Sequence, residues 1–171
     1  MQPNIETNRL VLRPFRLSDS ERVAHLAGEK VIAEMTANIP HPYESNMAVE
    51  WIKTHIHHFT EKTAVVFAIT IKGCDDIIGA VSLPTLKEGV GILGYWLGTP
   101  YWGKGIAFEA SQALIEYAKQ HLNLVEIEVQ HLVHNQRSKS VIEKLGIEYQ
   151  EDRTVEVHGE KREVCVYRSL V

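Results

Sequence analysis

The sequence predicts a single α/β domain, spanning residues 1–171, in which helices pack on both faces of a mixed, mostly antiparallel, twisted sheet. The length and the hydrophobic content of 44% suit one domain with a substantial core. Apolar residues recur at helical spacing between Ser18 and Phe59, and from Ala64 they alternate as strand residues do. The elements follow the order β-α-α-α-β-β-β-α-β-α-β-β, without a repeat or a linker.

The first strand is predicted from its alternating apolar and polar residues, and the first two helices from residues that typically begin or end a helix. "RLVLRPF", residues 9–15, alternates as a half-buried strand does. Ser18 and Glu21 form a capping-box pattern at the start of a helix that Gly28 is expected to end. The buried stripe of that helix is Val23, Leu26 and Ala27. A second short helix is predicted over Val31–Met35, before a loop that contains Pro40 and Pro42.

A third helix is predicted to begin at Ser45, which would cap it. Its apolar face is Ala48, Val49, Ile52, Ile56 and Phe59. The histidines of "THIHHF" then fall mostly off that face, and we expect His55, His57 and His58 to be solvated or half-exposed.

The second half of the chain contains six predicted strands and two helices. "AVVFAITI", "DIIGAVSL" and "VGILGYWL" are predicted strands joined through "KGCDD" and "PTLKEG" as antiparallel hairpins. A helix follows from Ile106 to about Leu122, and then the strand "VEIEVQHLV", whose buried face is predicted as Val125, Ile127 and Val129. Asn135 is expected to cap the last helix and Gly146 to end it. "YQEDRTVEV" and "REVCVYRSL" form a closing hairpin through "HGEK".

Composition excludes several classes of function. The net charge of −4 argues against a nucleic-acid-binding surface, and no apolar run is long enough for a membrane span. The N-terminus does not resemble a signal peptide, so we expect a cytoplasmic protein in which Cys74 and Cys165 are reduced. The nine histidines show no metal-ligand spacing, and we expect no metal. The oligomeric state, monomer or homodimer, stays open.

The stretch "TPYWGKGIAFEA" carries the clearest functional signal. Gly103, Lys104 and Gly105 lie between a strand and a helix, where unpaired backbone N–H groups and the helix dipole favour an anion such as a phosphate. A tight turn with an exposed lysine explains the same residues equally well. The sequence lacks the GxxxxGK motif of a P-loop, and Phe108 occupies the third glycine position of a dinucleotide fingerprint.

"YWLGTPYWGKGIAFEASQALIEYA" resembles the acetyl-CoA-binding segment of the Gcn5-related N-acetyltransferases, the GNAT superfamily. The loop pattern of that superfamily, Q/R-x-x-G-x-G/A, matches residues 102–107 except at Trp102. A tryptophan there resembles the RimJ/RimL-like subgroup, which acetylates the N-termini of ribosomal proteins. "ETNRLVLRPFRLSD" and "HNQRSKSVIEKLGI" are similar to the opening and the N-x-x-S segment of that subgroup.

The resemblance implies a fold, a cofactor and roles for individual residues. It implies a GNAT-like sheet in which one strand splays from its neighbour, a loop whose amides hold the CoA diphosphate, and an oxyanion-binding N–H near Trp96 or Leu97. Ser138 would be catalytic and would face the sulfur, and Asn135 would bind the cofactor arm. The implied residues that bind acetyl-CoA are Tyr95, Trp96, Leu97, Trp102, Gly103, Lys104, Gly105, Ile106, Ala107 and Asn135.

The predicted function is acetyl-CoA-dependent N-acetyltransfer to a primary amine, by direct attack through a tetrahedral intermediate. The expected acceptor is the N-terminal α-amine of a ribosomal protein. A small amine, such as an aminoglycoside, a polyamine or an amino acid, is the alternative acceptor, and a non-catalytic module that binds acyl-CoA is a further alternative. The general base stays open between Glu156, His134, Glu34 and a water molecule.

Overall fold

The computed structural model describes residues 1–157 and 159–171, and eight strands of these residues form one sheet. The strands are β1 Ile5–Glu6, β2 Leu10–Arg13, β3 Val65–Ile71, β4 Gly79–Lys87, β5 Val90–Leu97, β6 Glu126–Leu132, β7 Tyr149–Val157 and β8 Glu160–Leu170. The helices are α1 Ser20–Ala27, α2 Lys30–Met35, α3 Ser45–Lys53, α4 His55–Thr60, α5 Ile106–His121 and α6 Gln136–Lys144. The predicted order is confirmed, except that the short β1 is additional and the third predicted helix is divided.

The spatial order of the strands is β1-β2-β3-β4-β5-β6-β8-β7, and every recorded pairing is antiparallel except that of β5 with β6. A parallel pair needs a crossover, and α5 supplies it between β5 and β6. Ala110 and Leu114 of α5 pack on one face of the sheet together with Ile142 of α6. Leu26 of α1 and Ile52 of α3 pack on the other face. Helices therefore cover both faces, as predicted.

The starts of α1 and α3 differ from the prediction. Residues Leu17–Asp19 form a 3-10 turn, so Asp19 rather than Ser18 precedes α1. The carboxylate of Asp19 accepts hydrogen bonds from the Arg16 backbone N–H at 2.7 Å and from the buried Arg13 guanidinium at 2.9 Å. This buried ion pair fixes the turn and displaces the predicted Ser18 cap. Ser45 is the first residue of α3, and Glu44 occupies the N-cap position.

The third predicted helix is divided at Thr54, but the same side of it stays buried across the division. Thr54 has ψ −18°, and its hydroxyl donates to the Trp51 carbonyl at 2.7 Å. Ala48, Ile52 and His55 follow helical spacing and form one buried face. His55 is 7% exposed at the centre of this face and Ile56 is 81% exposed beside it, the reverse of the prediction. His57 and His58 are exposed, as predicted.

Two strand boundaries also differ. The predicted connection "PTLKEG" lies mostly within β4, which continues to Lys87 with an irregularity between Ser82 and Thr85. Pro84 has no N–H for the ladder and lies at that irregularity. Val125 precedes β6 and is 55% exposed, whereas Ile127 and Val129 are buried as predicted.

The other predicted boundaries of this half are largely confirmed. Helix α5 has Leu122 at its C-cap, and Gly146, with φ +75°, follows the C-cap of α6. The closing hairpin is present, but β8 begins at Glu160, so the connection is shorter than "HGEK". His158 of that connection lies outside the described residues. Among the helices of the described residues, none has both the length and the apolar character that a membrane crossing requires.

The burial of His55 predicts how the free energy of unfolding depends on pH. Its ring packs 4.6 Å from Trp51 and 5.6 Å from Phe15, and neither ring nitrogen has a hydrogen-bond partner among the described residues. Burial, with a smaller contribution from His58, lowers its pKa to about 4. The unfolded chain with its ordinary histidine pKa of about 6.5 then binds more protons than the folded chain. The free energy of unfolding should fall by up to about 3 kcal/mol as the pH is lowered from 6.5 to 4.

Urea denaturation between pH 7 and pH 4.5 measures this dependence. The variant His55→Phe should lose most of the fall in stability over that range. His57→Phe, an exposed position on the same helix, is the control and should keep it. Equal slopes for the wild type and His55→Phe would contradict the assignment.

Candidate active site

A cavity of about 950 Å³ lies where β5 separates from β6. The pairing recorded between these strands ends at Leu93 and Val129, while β5 continues to Leu97 beside β4. The splayed strand expected from the resemblance is therefore present. All eleven predicted site residues line this one cavity: Tyr95, Trp96, Leu97, Trp102, Gly103, Lys104, Gly105, Ile106, Ala107, Asn135 and Ser138.

The splayed end of β5 presents backbone groups to the cavity. The Gly98 N–H donates to the Ile78 carbonyl at 2.8 Å, so the even-numbered residues of β5 bond to β4 by the antiparallel alternation. Tyr95 and Leu97 therefore direct their backbone groups toward the gap. The Leu97 carbonyl accepts the indole N–H of Trp102 at 2.9 Å. Of the two predicted oxyanion donors, the alternation places the Leu97 N–H at the gap rather than the Trp96 N–H.

The two glycines of the loop are required by its backbone conformation. Gly103 and Gly105 both have φ +75°, in the left-handed region that other residues adopt only at a cost. Gly105 is also the N-cap of α5, and its carbonyl accepts the Glu109 N–H at 3.1 Å. The preceding N–H groups of the first turn have no partner within a helix. They form the positive end of the helix dipole, which suits an anion.

A partly exposed clamp, formed by Thr7, Arg9 and Glu109, holds the outer side of this loop. Arg9 donates to the Lys104 carbonyl at 2.8 Å and to the Glu109 carboxylate at 2.7 Å, and Thr7 donates to the same carboxylate at 2.6 Å. Burial opposes ionisation of Glu109, but the hydrogen bonds from Thr7 and Arg9 outweigh it and lower the pKa of the carboxyl. The bond from Arg9 to the Lys104 carbonyl therefore fixes the backbone of the loop just before α5.

Ser138 lies in the first turn of α6 and is 8% exposed. Its Oγ is 2.7 Å from the Tyr95 hydroxyl, a pair that the sequence analysis did not predict. Burial raises the pKa of Tyr95 to about 12, and the hydrogen bond with Ser138 opposes this rise only in part. Tyr95 is therefore a neutral hydroxyl near neutral pH, able to donate a hydrogen bond to Ser138.

Asn135 is the N-cap of α6, as predicted. Its Oδ1 accepts the Ser138 N–H at 3.1 Å, and its Nδ2 donates to the Met35 carbonyl, at the end of α2, at 3.1 Å. Both polar ends of the side chain are therefore occupied by protein groups. Asn135 lines the cavity mainly as the link between α2 and the helix that carries Ser138.

Positive charge is concentrated on the α5 and α6 side of the cavity. Lys104, Arg137 and Lys144 all line it, and the Arg137 guanidinium lies 4.0 Å from the centre of the Trp102 ring. A cation over an indole is a favourable contact, and it holds Arg137 beside the glycine loop. These charges add to the helix dipole and favour an anionic ligand on this side.

The candidate bases are not brought together at the cavity. Among the described residues that line it, Glu156 is present and Glu34 and His134 are not. Glu34 is exposed, 3.9 Å from Lys30, and His134 is exposed after β6. Val155 and Val157, the neighbours of Glu156, pack against one inner cluster, so alternation places the Glu156 side chain on the opposite face of β7.

Comparison with known proteins identifies relatives over most of the chain. A family model described as an acetyltransferase (GNAT) domain matches residues 9–148. The N-acetyltransferase p20 of Bacillus licheniformis is 30% identical over 144 residues, which cover 83% of this chain and 80% of that protein. The ribosomal protein uS5-alanine N-acetyltransferase of Escherichia coli K12 is 27% identical over 151 residues, which cover 84% and 77% of the two chains.

Solved structures show the same fold at low sequence identity. A complex of RimL, a ribosomal L7/L12 α-N-protein acetyltransferase, with coenzyme A superposes with a TM-score of 0.88 at 18% identity, covering 99% of this chain and 98% of that one. The microcin C7 self-immunity acetyltransferase MccE, in complex with acetyl-CoA and AMP, superposes with a TM-score of 0.86 at 19% identity, covering 96% and 94%.

Proposed function

This chain belongs to the GNAT acetyltransferase family, and we propose that it transfers the acetyl group of acetyl-CoA to the N-terminal α-amine of a protein. The observation that carries the proposal is the cavity at the splayed end of β5, where the glycine loop and the Tyr95–Ser138 pair meet. The relatives named as ribosomal-protein N-acetyltransferases support a ribosomal protein as the acceptor.

The residues around the cavity fit acetyl-CoA in charge and shape. The loop of Trp102, Gly103, Lys104 and Gly105, with the first N–H groups of α5, would hold the diphosphate. The free backbone groups of Tyr95 would pair with the amide-bearing arm as a neighbouring strand does. When bound, acetyl-CoA supplies an acyl group activated as a thioester.

The acceptor amine needs little help to become a nucleophile. An α-amino group has a pKa of about 7.7–8.0, so a substantial fraction is neutral near neutral pH. A carboxylate base is therefore not needed, and of the three candidate residues only Glu156 is among the described residues that line the cavity. The Leu97 N–H would stabilise the oxyanion, a role worth about 10²–10³ in rate. The C–N bond would form first and give the tetrahedral oxyanion, and the C–S bond would break when this intermediate collapses to the amide.

Ser138 and Tyr95 would act on the leaving sulfur as hydrogen-bond donors. A proton moved from Tyr95, whose pKa is about 12, to a thiolate of pKa about 8.5 would cost roughly 5 kcal/mol. A hydrogen bond to a charged group contributes about 1.5–3 kcal/mol without this cost. The proton that ends on sulfur therefore comes from the acceptor nitrogen, which must lose it when the amide forms.

Peptides of the same sequence with free and acetyl-blocked N-termini test the function directly. Calorimetry should show acetyl-CoA binding, and mass spectrometry should show one added acetyl group on the free peptide only. Binding without transfer to any free α-amine would overturn the proposed acceptor and move the search to small amines or to a binding module without turnover.

Gly105→Glu tests the diphosphate site. A carboxylate at the positive end of α5 should weaken acetyl-CoA binding by about a hundredfold or more, because it repels and displaces the anion. Gly73→Glu is the matched control, since Gly73 also has a positive φ of +90° but lies in the β3–β4 turn. Both variants should lose similar thermal stability, and only Gly105→Glu should lose affinity. Equal affinities measured by calorimetry would contradict the site.

Tyr95→Phe tests the hydroxyl pair. Loss of this donor should lower kcat by about tenfold and leave the Kd of acetyl-CoA within about threefold, because the bond matters only when charge develops on sulfur. Combined with Ser138→Ala, it should cause no further loss, since the two hydroxyls act as a unit. Tyr117→Phe, on α5 outside the cavity lining, is the control. Independent, additive losses in the double variant would contradict the coupling.

A further inference from the structure

The cavity continues through the splayed sheet to the α1 and α3 face. Side chains alternate along β5, so Tyr95 packs on the side of α5 while Trp96 packs on the side of α1 and α3. Beyond Trp96 the cavity is walled by the segment between α2 and α3 and by α3 itself. We name this part the acceptor chamber and define it by Ile39, Tyr43, Met47, Trp51 and Trp96, all half-buried and all lining the cavity.

The chamber is apolar, and buried residues of the core support its wall. The Trp51 ring packs edge-on at 5.0 Å from Phe15 and at 4.6 Å from His55, both buried. Burial also raises the pKa of Tyr43, so this hydroxyl stays neutral. Two indoles, a phenol and a thioether therefore face the cavity from a wall that the core supports. Such surfaces contribute affinity mainly by removing apolar groups from water.

The distribution of charge excludes a multiply cationic occupant. Among the described residues that line the cavity, the side chains of Lys104, Arg137 and Lys144 are cationic and belong to the α5 and α6 side. Glu156 is the one acidic lining residue, and alternation directs its side chain away from the inner cluster. A polyamine or an aminoglycoside carries several cations that need several carboxylates, and the chamber does not supply them.

We propose that the acceptor chamber receives the side chain of the acceptor's first residue, and that this residue is large and apolar, such as leucine, methionine or phenylalanine. The inference rests on the proposed function, because it assumes an α-amine placed at the Leu97 N–H. Trp96 is the neighbour of Leu97 in β5, so a first residue whose amine lies at the gap has its side chain beside Trp96. Met47 and Tyr43 then close the opposite wall.

A panel of peptides identical except for the first residue tests the proposal. Peptides that begin with Leu, Met or Phe should exceed those that begin with Lys or Asp in kcat/KM by roughly ten- to hundredfold, and spermidine should not be acetylated. Acetylation of the panel at equal rates, or a preference for Lys or Asp, would overturn the inference while leaving N-terminal acetylation intact. Acetylation of spermidine with no reaction of any peptide would instead overturn the proposed function.

The variant Met47→Ala tests whether the acceptor chamber causes the preference for a large apolar first residue. Removing the thioether should lower kcat/KM about tenfold for the Leu-first peptide and by less than about twofold for the Ala-first peptide, with an unchanged Kd for acetyl-CoA. Ile56→Ala truncates an apolar side chain on α4 that is 81% exposed, and should change none of these values. An equal effect of Met47→Ala on both peptides would show that the first side chain does not contact the chamber, and would overturn the proposal.

Discussion

The separation of β5 from β6 is the constraint on which the site depends. The two strands pair in parallel as far as Leu93 and Val129, and the crossover helix α5 keeps them adjacent. Beyond this point β5 remains bonded to β4, so its other edge has backbone groups without a strand beside it. An unpaired edge is ordinarily a liability for a sheet. Here the unpaired edge of β5 lines the cavity, and Tyr95 of this edge contacts Ser138 of α6. A ligand with amide groups could pair with such an edge as a strand does.

The same opening explains why one cavity reaches both faces of the sheet. Tyr95 and Trp96 are consecutive, yet they serve opposite sides because strand residues alternate. The cationic side suits an anion, and the aromatic side suits an apolar group. Asn135 joins the two sides, since one end of its amide caps the helix of Ser138 and the other end binds Met35 of α2. One side chain thus links the end of α2 to the helix that carries Ser138.

The sequence predicted the order of the elements, the helices on both faces of the sheet and eleven residues that line the cavity. These are features of local pattern: alternation, helical spacing, glycines next to a helix start, and a short motif with a family resemblance. The failures share a different cause. Asp19, and not Ser18, precedes α1 because its carboxylate pairs with the guanidinium of Arg13, which is buried in β2. The prediction of a solvated His55 was wrong because its ring packs against Trp51 and against Phe15, which is 40 positions away in the chain. The Tyr95–Ser138 bond joins residues 43 positions apart, which no local spacing could indicate.

The clamp formed by Thr7, Arg9 and Glu109 joins two segments that are far apart in the chain. Arg9 precedes Lys104 by 95 residues and Glu109 by 100 residues. Arg9 directly precedes β2, which pairs with β3, so the pairing of these strands fixes the position of Arg9. The glycine loop is therefore held by a contact between the two halves of the chain. A fragment that begins after Arg9 would keep the glycine loop, the splayed strand and Ser138, and would lack the contact that holds the loop.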